Sequence, residues 1–216
     1  MPRLVSRKWW FVFAGSLVAG SLLLGGAPAS SVTLGFDCVT NNLAANCAIG
    51  EAQVTVEVTD PGGGQIAFTF RNVGANPSSI TDVYWDDGTL ASIISITSSA
   101  GVNFAEDATP GNLPGGNNAS PPFVASFSAD SVAPAPLNGV NPGETLTVTF
   151  ALIGGQTFAN AIQDLTDGDL RVGVHVQSIG ANSGSEGFVN IPIPEPGTLA
   201  LVGTGLLGLA IARRRR

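Results

Sequence analysis

The chain has 216 residues and a formal net charge of −7, but its charges are unevenly distributed. Residues 30–193 hold fifteen of the sixteen acidic residues and only two basic ones, Arg71 and Arg171, so this region carries a net charge of −13. Such a surface excludes nucleic acid and anionic lipid as partners, because both bind through basic side chains that displace counterions. At 164 residues, the region is long enough for one domain with its own core.

The first 29 residues have the three parts of a secretory signal peptide. Arg3, Arg7 and Lys8 precede an apolar run over residues 9–24, and small residues follow as far as Ala29. A basic start, an apolar stretch and an A-x-A-like site are typical of a segment removed after export. We therefore predict a signal peptide at 1–29, with an uncleaved anchor as the alternative.

Cys38 and Cys47 are the two cysteines of the chain. In an exported protein, two cysteines more often pair than not, so we predict a disulfide. The eight residues between them predict a surface loop near the start of the exported domain. A metal site would need further ligands nearby, and the one histidine is far away in the sequence.

The exported domain follows a two-residue hydrophobic period. Apolar residues alternate over 54–58 and again over 66–70, with the Gly-rich turn 60–64 between them, which predicts a β-hairpin with one face in the core. Further strands are predicted at 32–36, 80–85, 90–97, 123–129, 146–152, 172–176 and 187–191. One helix is predicted from the helical spacing of Phe158, Ala161, Ile162 and Leu165, ending at Gly168. About nine short strands separated by Gly/Pro/Asn loops indicate an all-β fold, an antiparallel β-sandwich of jelly-roll-like type.

Two loops are long, residues 98–122 and 131–144. Loops of this length are usually functional or mobile, and their Gly, Pro and Asn content is equally typical of passive surface loops.

The densest acidic cluster lies at residues 82–88. Asp82, Tyr84 and Asp86 alternate with Val83 and Trp85, and Asp87-Gly88 predicts a tight hairpin turn. A core tryptophan followed by a turn accounts for this stretch without any function. The functional alternative is a Ca²⁺ site in which Asp82, Asp86 and Asp87 supply part of the oxygen shell. A second acidic group, Asp164, Asp167 and Asp169, could supply a site of its own, but neither group matches the D-x-D-x-D-G pattern of an EF-hand loop.

The sequence contains no recognisable catalytic signature. His175 alternates with Arg171 and Gln177, which predicts a solvated side chain on the polar face of a strand. No G-x-S-x-G nucleophile motif is present. Paired carboxylates of the glycosidase kind need only a set separation, but no spacing singles out a pair. We therefore predict no catalytic residues, no enzyme activity and no obligatory cofactor.

The last 23 residues combine a stiff turn, an apolar run and a basic end. Pro194 and Pro196 keep the chain extended through Glu195, and a helix is predicted from Pro196 to Ala212. Seventeen residues at about 1.5 Å each span roughly 25 Å, near the lower limit for crossing a bilayer. Arg213, Arg214, Arg215 and Arg216 follow and predict a cytoplasmic stop.

In their order and position, these features resemble the PEP-CTERM sorting signal of exopolysaccharide-producing bacteria. The resemblance implies an exosortase substrate: a transpeptidase-like membrane enzyme would cut at or near Pro194-Glu195-Pro196. The implied organisation is a signal peptide (1–29), an exported β-sandwich domain (30–193) and a sorting signal with a transmembrane helix (194–216). A plain C-terminal anchor is the alternative.

The middle of the chain, through D-V-Y-W-D-D-G and G-D-L-R-V-G-V-H-V-Q, also resembles the exported domains of such proteins. That likeness implies a fold and no mechanism.

Three functions follow as expectations. The first is a structural surface or extracellular-matrix protein, anchored transiently in the membrane and then associated with extracellular polysaccharide. The second is a glycan- or calcium-binding module, which the scarcity of aromatic residues outside the signal peptide disfavours. The third is a secreted glycoside-acting hydrolase.

Overall fold

The computed structural model describes residues 31–86 and 88–191. The predicted signal peptide, Asp87, and the sorting segment with its two prolines, Glu195 and four arginines lie outside the described residues. Within the described ranges the chain forms eleven strands and three α-helices. The strands are β1 (Ser31–Leu34), β2 (Phe36–Cys38), β3 (Val54–Thr59), β4 (Gln65–Asn72), β5 (Ser79–Trp85), β6 (Leu90–Ser98), β7 (Phe104–Glu106), β8 (Phe127–Ser131), β9 (Thr145–Leu152), β10 (Val172–Ile179) and β11 (Gly184–Asn190). The helices are α1 (Ala44–Gln53), α2 (Ala135–Asn138) and α3 (Phe158–Asp167).

The strands form two sheets in which all neighbours are antiparallel. The first sheet has the order β1-β3-β4-β9-β6 and the second has the order β2-β11-β10-β5-β8-β7. Apolar side chains from one face of each sheet meet in a shared core. The predicted all-β, two-sheet architecture is therefore confirmed.

Trp85 lies at the centre of this core. Its ring contacts those of Phe68, Phe70 and Phe150 edge-on, with centroid separations of 5.6, 5.7 and 4.8 Å. These phenylalanines alternate on β4 and β9 of the first sheet, whereas Trp85 belongs to the second. The two-residue period of β4 and β9 thus places their aromatic rings against the opposite sheet.

The most local predictions are confirmed. β3 and β4 form the predicted hairpin, and Asp60 Oδ1 accepts a hydrogen bond of 2.8 Å from the Gly62 amide in its turn. α3 begins at a capping box in which Thr157 and Asn160 bond reciprocally, and it ends at Gly168 in the left-handed region (φ 82°).

One predicted loop, residues 39–46, is helical in its last part. Residues 44–53 form α1, so the predicted disulfide, which is present, joins β2 to this helix rather than closing a surface loop. The N-cap residue Leu43 has no capping side chain, which is why the sequence gives no helix signal. Glu186 supplies the cap from β11, accepting the Asn42 and Leu43 amides at 2.9 and 2.8 Å.

The predicted hairpin at Asp87-Gly88 is wrong. β5 lies in the middle of the second sheet and β6 at an edge of the first, so this part of the chain crosses between the sheets. Gly88 adopts φ 95°, and a Cβ on it would come within 2.7 Å of Leu170 Cβ. Glycine is therefore required at position 88 for two reasons: its backbone has a positive φ, and Leu170 leaves no room for a side chain.

Two strand boundaries also differ. The strand predicted at 123–129 is β8, which begins only at Phe127. The long loop predicted at 98–122 contains the short strand β7. None of the helices in the described part of the chain is long and apolar enough to span a membrane.

Candidate functional site

The outer face of the second sheet is covered by residues 108–125, which we call the covering segment. Its Ala108, Leu113 and Phe123 are buried with Tyr84 and Val189 of the sheet and form a second, smaller core. Two glycines make room for this layer. A Cβ on Gly187 would lie 2.1 Å from the Pro114 carbonyl oxygen, and one on Gly173 would lie 3.0 Å from Leu113. The part of the predicted loop 98–122 that lies in this segment is irregular and mostly exposed, as predicted, but buried side chains fix it to the sheet.

Arg171 holds the covering segment down. Its Nε donates to Asp86 Oδ2 at 2.6 Å, and its backbone amide donates to Asp86 Oδ1 at 2.5 Å. The same guanidinium donates to the carbonyl oxygens of Pro121 and Pro122 at 2.6 and 3.0 Å. It also lies 5.3 Å from the centre of the Phe123 ring. One cation therefore joins β5, β10 and the covering segment.

On the same sheet, three titratable side chains form a row across neighbouring strands. Asp130 of β8 pairs in register with Asp82 of β5, which pairs with His175 of β10. His175 Nδ1 lies 2.8 Å from Asp82 Oδ2, and the Asp130 carboxyl hydrogen-bonds that of Asp82. We call these three residues the acid–imidazole row.

Two members of the row are shielded from water, whereas Asp130 is partly exposed. The side chain of Asp82 is 3% exposed and that of His175 is 12% exposed. The prediction that His175 is a solvated side chain is therefore wrong. Asp82 and Tyr84, which alternate with the core residues Val83 and Trp85, are also buried, because the covering segment lies over their face of the sheet.

A local irregularity of β5 adds to the row. The pairing between β5 and β10 shifts by one residue between His175 and Val176, which leaves Thr81 as an extra residue on β5. Thr81 Oγ1 donates to Asp82 Oδ2 at 2.8 Å. β-Bulges often re-aim side chains near functional sites, and this one brings a hydroxyl and an imidazole to the same carboxylate oxygen.

The electrostatics of the row favour bound protons. Burial, followed by the neighbouring negative charge and hydrogen bond of Asp82, raises the pKa of Asp130 from 3.8 to about 6. Burial, followed by the charges of Asp82 and Asp130, also raises the pKa of the Tyr84 phenol. Its hydroxyl donates to the Pro110 carbonyl oxygen at 2.9 Å, inside the covering segment. The row can thus take up a proton in mildly acidic solution.

We expect this proton to show in the pH dependence of stability. The pKa of Asp130 is higher in the folded than in the unfolded protein, so the folded state binds this proton more tightly. The resulting contribution to the free energy of unfolding is fully present below about pH 4 and is lost as the pH rises through about 6. Asp130→Asn, which keeps a hydrogen-bond donor towards Asp82 and removes the charge, should weaken this pH dependence and stabilise the protein at neutral pH.

Urea unfolding of the parent and of Asp130→Asn between pH 4 and pH 7.5 measures this effect. Asp37→Asn, at an exposed acid of β2 away from the row, is the control and should leave the difference between the two pH values unchanged. A parent-like pH profile in Asp130→Asn would contradict the assignment.

The acidic residues predicted to bind calcium lie apart. Asp82 and Asp86 are four residues apart along an extended chain, so their Cα atoms are separated by about 13 Å. Asp82 contacts His175 and Asp86 contacts Arg171, while Asp87 lies outside the described residues. Calcium binding stays a prediction. Within residues 31–86 and 88–191, the one group of three metal-ligating side chains is Cys38, Cys47 and Glu186, whose two sulfurs form the disulfide.

A surface concavity of about 260 Å³ lies next to the covering segment, between β6 and β7. Its lining includes Ile93, Glu106, Asp107 and Ser128. Ser128 Oγ accepts the Ala108 amide at 3.0 Å, and Asp107 has a positive φ of 69°. No nucleophile paired with a base lines this concavity, so it adds no catalytic candidate to the described residues.

A family profile described as the PEP-CTERM protein-sorting motif matches residues 192–216. The chain carries a PEP-CTERM sorting motif. This finding supports an exported protein that is targeted to an exosortase, with sorting at the membrane. The PEP-CTERM match covers the C-terminal segment and leaves the β-sandwich domain unassigned. Neither the curated proteins nor the solved structures include a match to the chain.

Proposed function

We propose that this chain is an exported, exosortase-processed surface or extracellular-matrix protein that associates with exopolysaccharide and has a structural rather than a catalytic role. The observation that carries the proposal is the PEP-CTERM match at residues 192–216. Within it, Pro194, Glu195 and Pro196 are the proposed processing motif. The arginines at 213–216 are the proposed cytoplasmic stop.

The chemistry of the motif supports processing at this place. If the arginines remain inside, the Pro-Glu-Pro stretch lies just outside the membrane, where a membrane-embedded peptidase can reach it. Pro194 and Pro196 favour the extended backbone that a protease cleft accepts. Glu195 is the one charged residue between Glu186 and the arginines, so it is the proposed recognition contact.

The structure of the domain favours a structural role over a sugar-binding module. Protein sites that recognise sugars commonly present aromatic faces, and the two aromatic residues suited to this, Tyr84 and Trp85, are completely buried. Asp82 and His175 of the acid–imidazole row lie beneath other groups rather than in an open cleft. These features give a specific glycan site or a glycoside-acting hydrolase little support.

The processing step can be tested in the producing cell. We expect the extracellular protein to end near Glu195 and to lack the apolar segment. Glu195→Ala, or deletion of residues 213–216, should leave a longer, membrane-retained form. Asp169→Ala, which removes an exposed acid of the domain, is the control and should be processed normally. Intact-mass spectrometry distinguishes these forms, and extracellular protein that still carries Arg216 would contradict the proposal.

A further inference from the structure

The two described sheets have four edge strands, and three of them are poor templates for pairing with another chain. β1 has four residues, while β2 and β7 have three each. β2 contains Asp37, and its Cys38 amide is already taken by Glu51 Oε1 of α1 at 3.2 Å. β7 ends in the exposed acid Glu106. Short, charged or covered edges are the usual protection against unwanted strand pairing.

β6 lacks these protections. It has nine residues, six of them exposed, and Ile94 is among the exposed large apolar residues. No charged residue and no proline occurs from Gly88 to Ala105. Isoleucine and threonine make up four of the nine positions, so the strand combines β propensity with neutrality at an open edge.

The free hydrogen-bonding groups of β6 can be assigned. The Ser99 amide donates to the Thr145 carbonyl oxygen at 3.0 Å, so it points towards β9. Because amides alternate along an antiparallel strand, those of Ile96 and Ser98 point away from β9. The two register shifts of β6 fall between Leu90 and Ser95, and the pairing from Ser95 to Ser98 is regular. The regular half of the strand therefore presents an ordered, unpaired edge.

We propose that residues 96–98 of β6 pair antiparallel with the same residues of a second copy, so that Thr97 faces its own copy at the two-fold axis and Ile96 pairs with Ser98 of the other copy. This pairing joins the two first sheets. When a strand pairs with a second copy of itself, identical surfaces face each other. The β6 surface has no charged side chains, so no like charges are brought together. The proposal goes beyond the function proposed above and does not depend on the sorting step.

The net charge of −13 on each domain sets the salt dependence of the dimer. Repulsion between two strongly acidic domains opposes association at low ionic strength, and salt screens it over about 8–10 Å at physiological concentration. The backbone pairing itself carries no ionic contact that salt would weaken. Dimer formation should therefore increase with salt.

The test is sedimentation analysis of the exported protein over a range of concentration and salt. We expect a monomer–dimer equilibrium that shifts towards dimer as salt increases. The variant Ser95→Lys/Thr97→Lys places two cations on the exposed face of β6. The two-fold axis sets position 97 against its own copy and position 95 diagonally across from it. We expect its dimer dissociation constant to rise about tenfold.

The matched control is Ser31→Lys/Thr33→Lys on β1. These residues are also exposed and lie on the same face of the same sheet, but at its opposite edge. Both double variants change the net charge equally, so any effect of charge alone appears in both. Weakening confined to the β6 variant supports the proposal. Equal weakening, or a monomer at every salt concentration, overturns it.

Hydrogen exchange of the unsubstituted protein gives a readout that needs no variant. The Ile96 and Ser98 amides should exchange more slowly as the protein concentration rises, while those of β1 should not change. Protection that appears at β1 instead of β6, or no dependence on concentration, would overturn the proposal even if the lysine variants failed to fold.

Discussion

Replacing Arg171 by methionine should destabilise the domain by about 3–5 kcal/mol, because it leaves the Asp86 carboxylate buried without its cation. The Arg171 and Asp86 side chains are only 13% and 8% exposed, and their closest N–O distance is 2.5 Å. The substitution also removes the bonds to Pro121 and Pro122, so the covering segment should be cleaved faster by proteases. Urea unfolding followed by the fluorescence of Trp85 measures the first effect, and limited proteolysis measures the second.

Arg71, the other arginine of the exported domain, provides a matched control. Arg71 bonds Glu57 at 3.0 Å, but their side chains are 43% and 34% exposed. Arg71→Met should therefore cost no more than about 1 kcal/mol. Arg171→Lys, which keeps the charge but not the planar fork, should fall between the two methionine variants. Equal losses in Arg171→Met and Arg71→Met would contradict the role given to Arg171.

Trp85→Ala should cost about 3–5 kcal/mol, since it leaves a large cavity between the sheets where three phenylalanine rings meet. Trp85→Phe is the informative companion. It retains an aromatic ring among Phe68, Phe70 and Phe150, and it removes an indole N–H that has no hydrogen-bond partner among the described residues. The loss of one unsatisfied buried donor should offset part of the lost packing.

We expect Trp85→Phe to cost less than half as much as Trp85→Ala. Circular dichroism in urea is the suitable measurement, because both variants lack the tryptophan of the domain. If Trp85→Phe and Trp85→Ala lowered the free energy of unfolding equally, the expectation would be contradicted. The indole nitrogen would then stabilise the core beyond the ring contacts described here.

The sequence predicts the parts of the fold that depend on nearby residues. The β3–β4 hairpin follows from alternating valines and phenylalanines around a glycine turn, and α3 follows from its apolar spacing and its terminal glycine. The disulfide follows from the presence of two cysteines in an exported chain. Each of these signals lies within about twenty residues, so no knowledge of distant contacts is needed.

The parts that the sequence does not predict depend on distant partners. α1 lacks a local cap because Glu186, far along the chain, provides it. His175 resembles a solvated residue because nothing in its own strand shows that the covering segment lies above it. Gly173 and Gly187 are the only signal of the covering segment in these strands. A glycine in a strand can also mark a bulge or a bend, so this signal does not identify the segment. The acid–imidazole row likewise exists only through the strand order β8-β5-β10.

The two ends of the domain meet at one place, and this has a mechanical consequence. Phe36 of β2 pairs with Asn190 of β11, and the Ile191 amide donates to the Gly35 carbonyl oxygen at 3.0 Å. If the protein is held at its C-terminal side, tension enters through β11, where Cys38 lies directly opposite Phe188. The covalent bond from Cys38 to Cys47 thus fastens the strand next to the point of load. A tethered molecule would be reinforced at the end from which it would otherwise unravel.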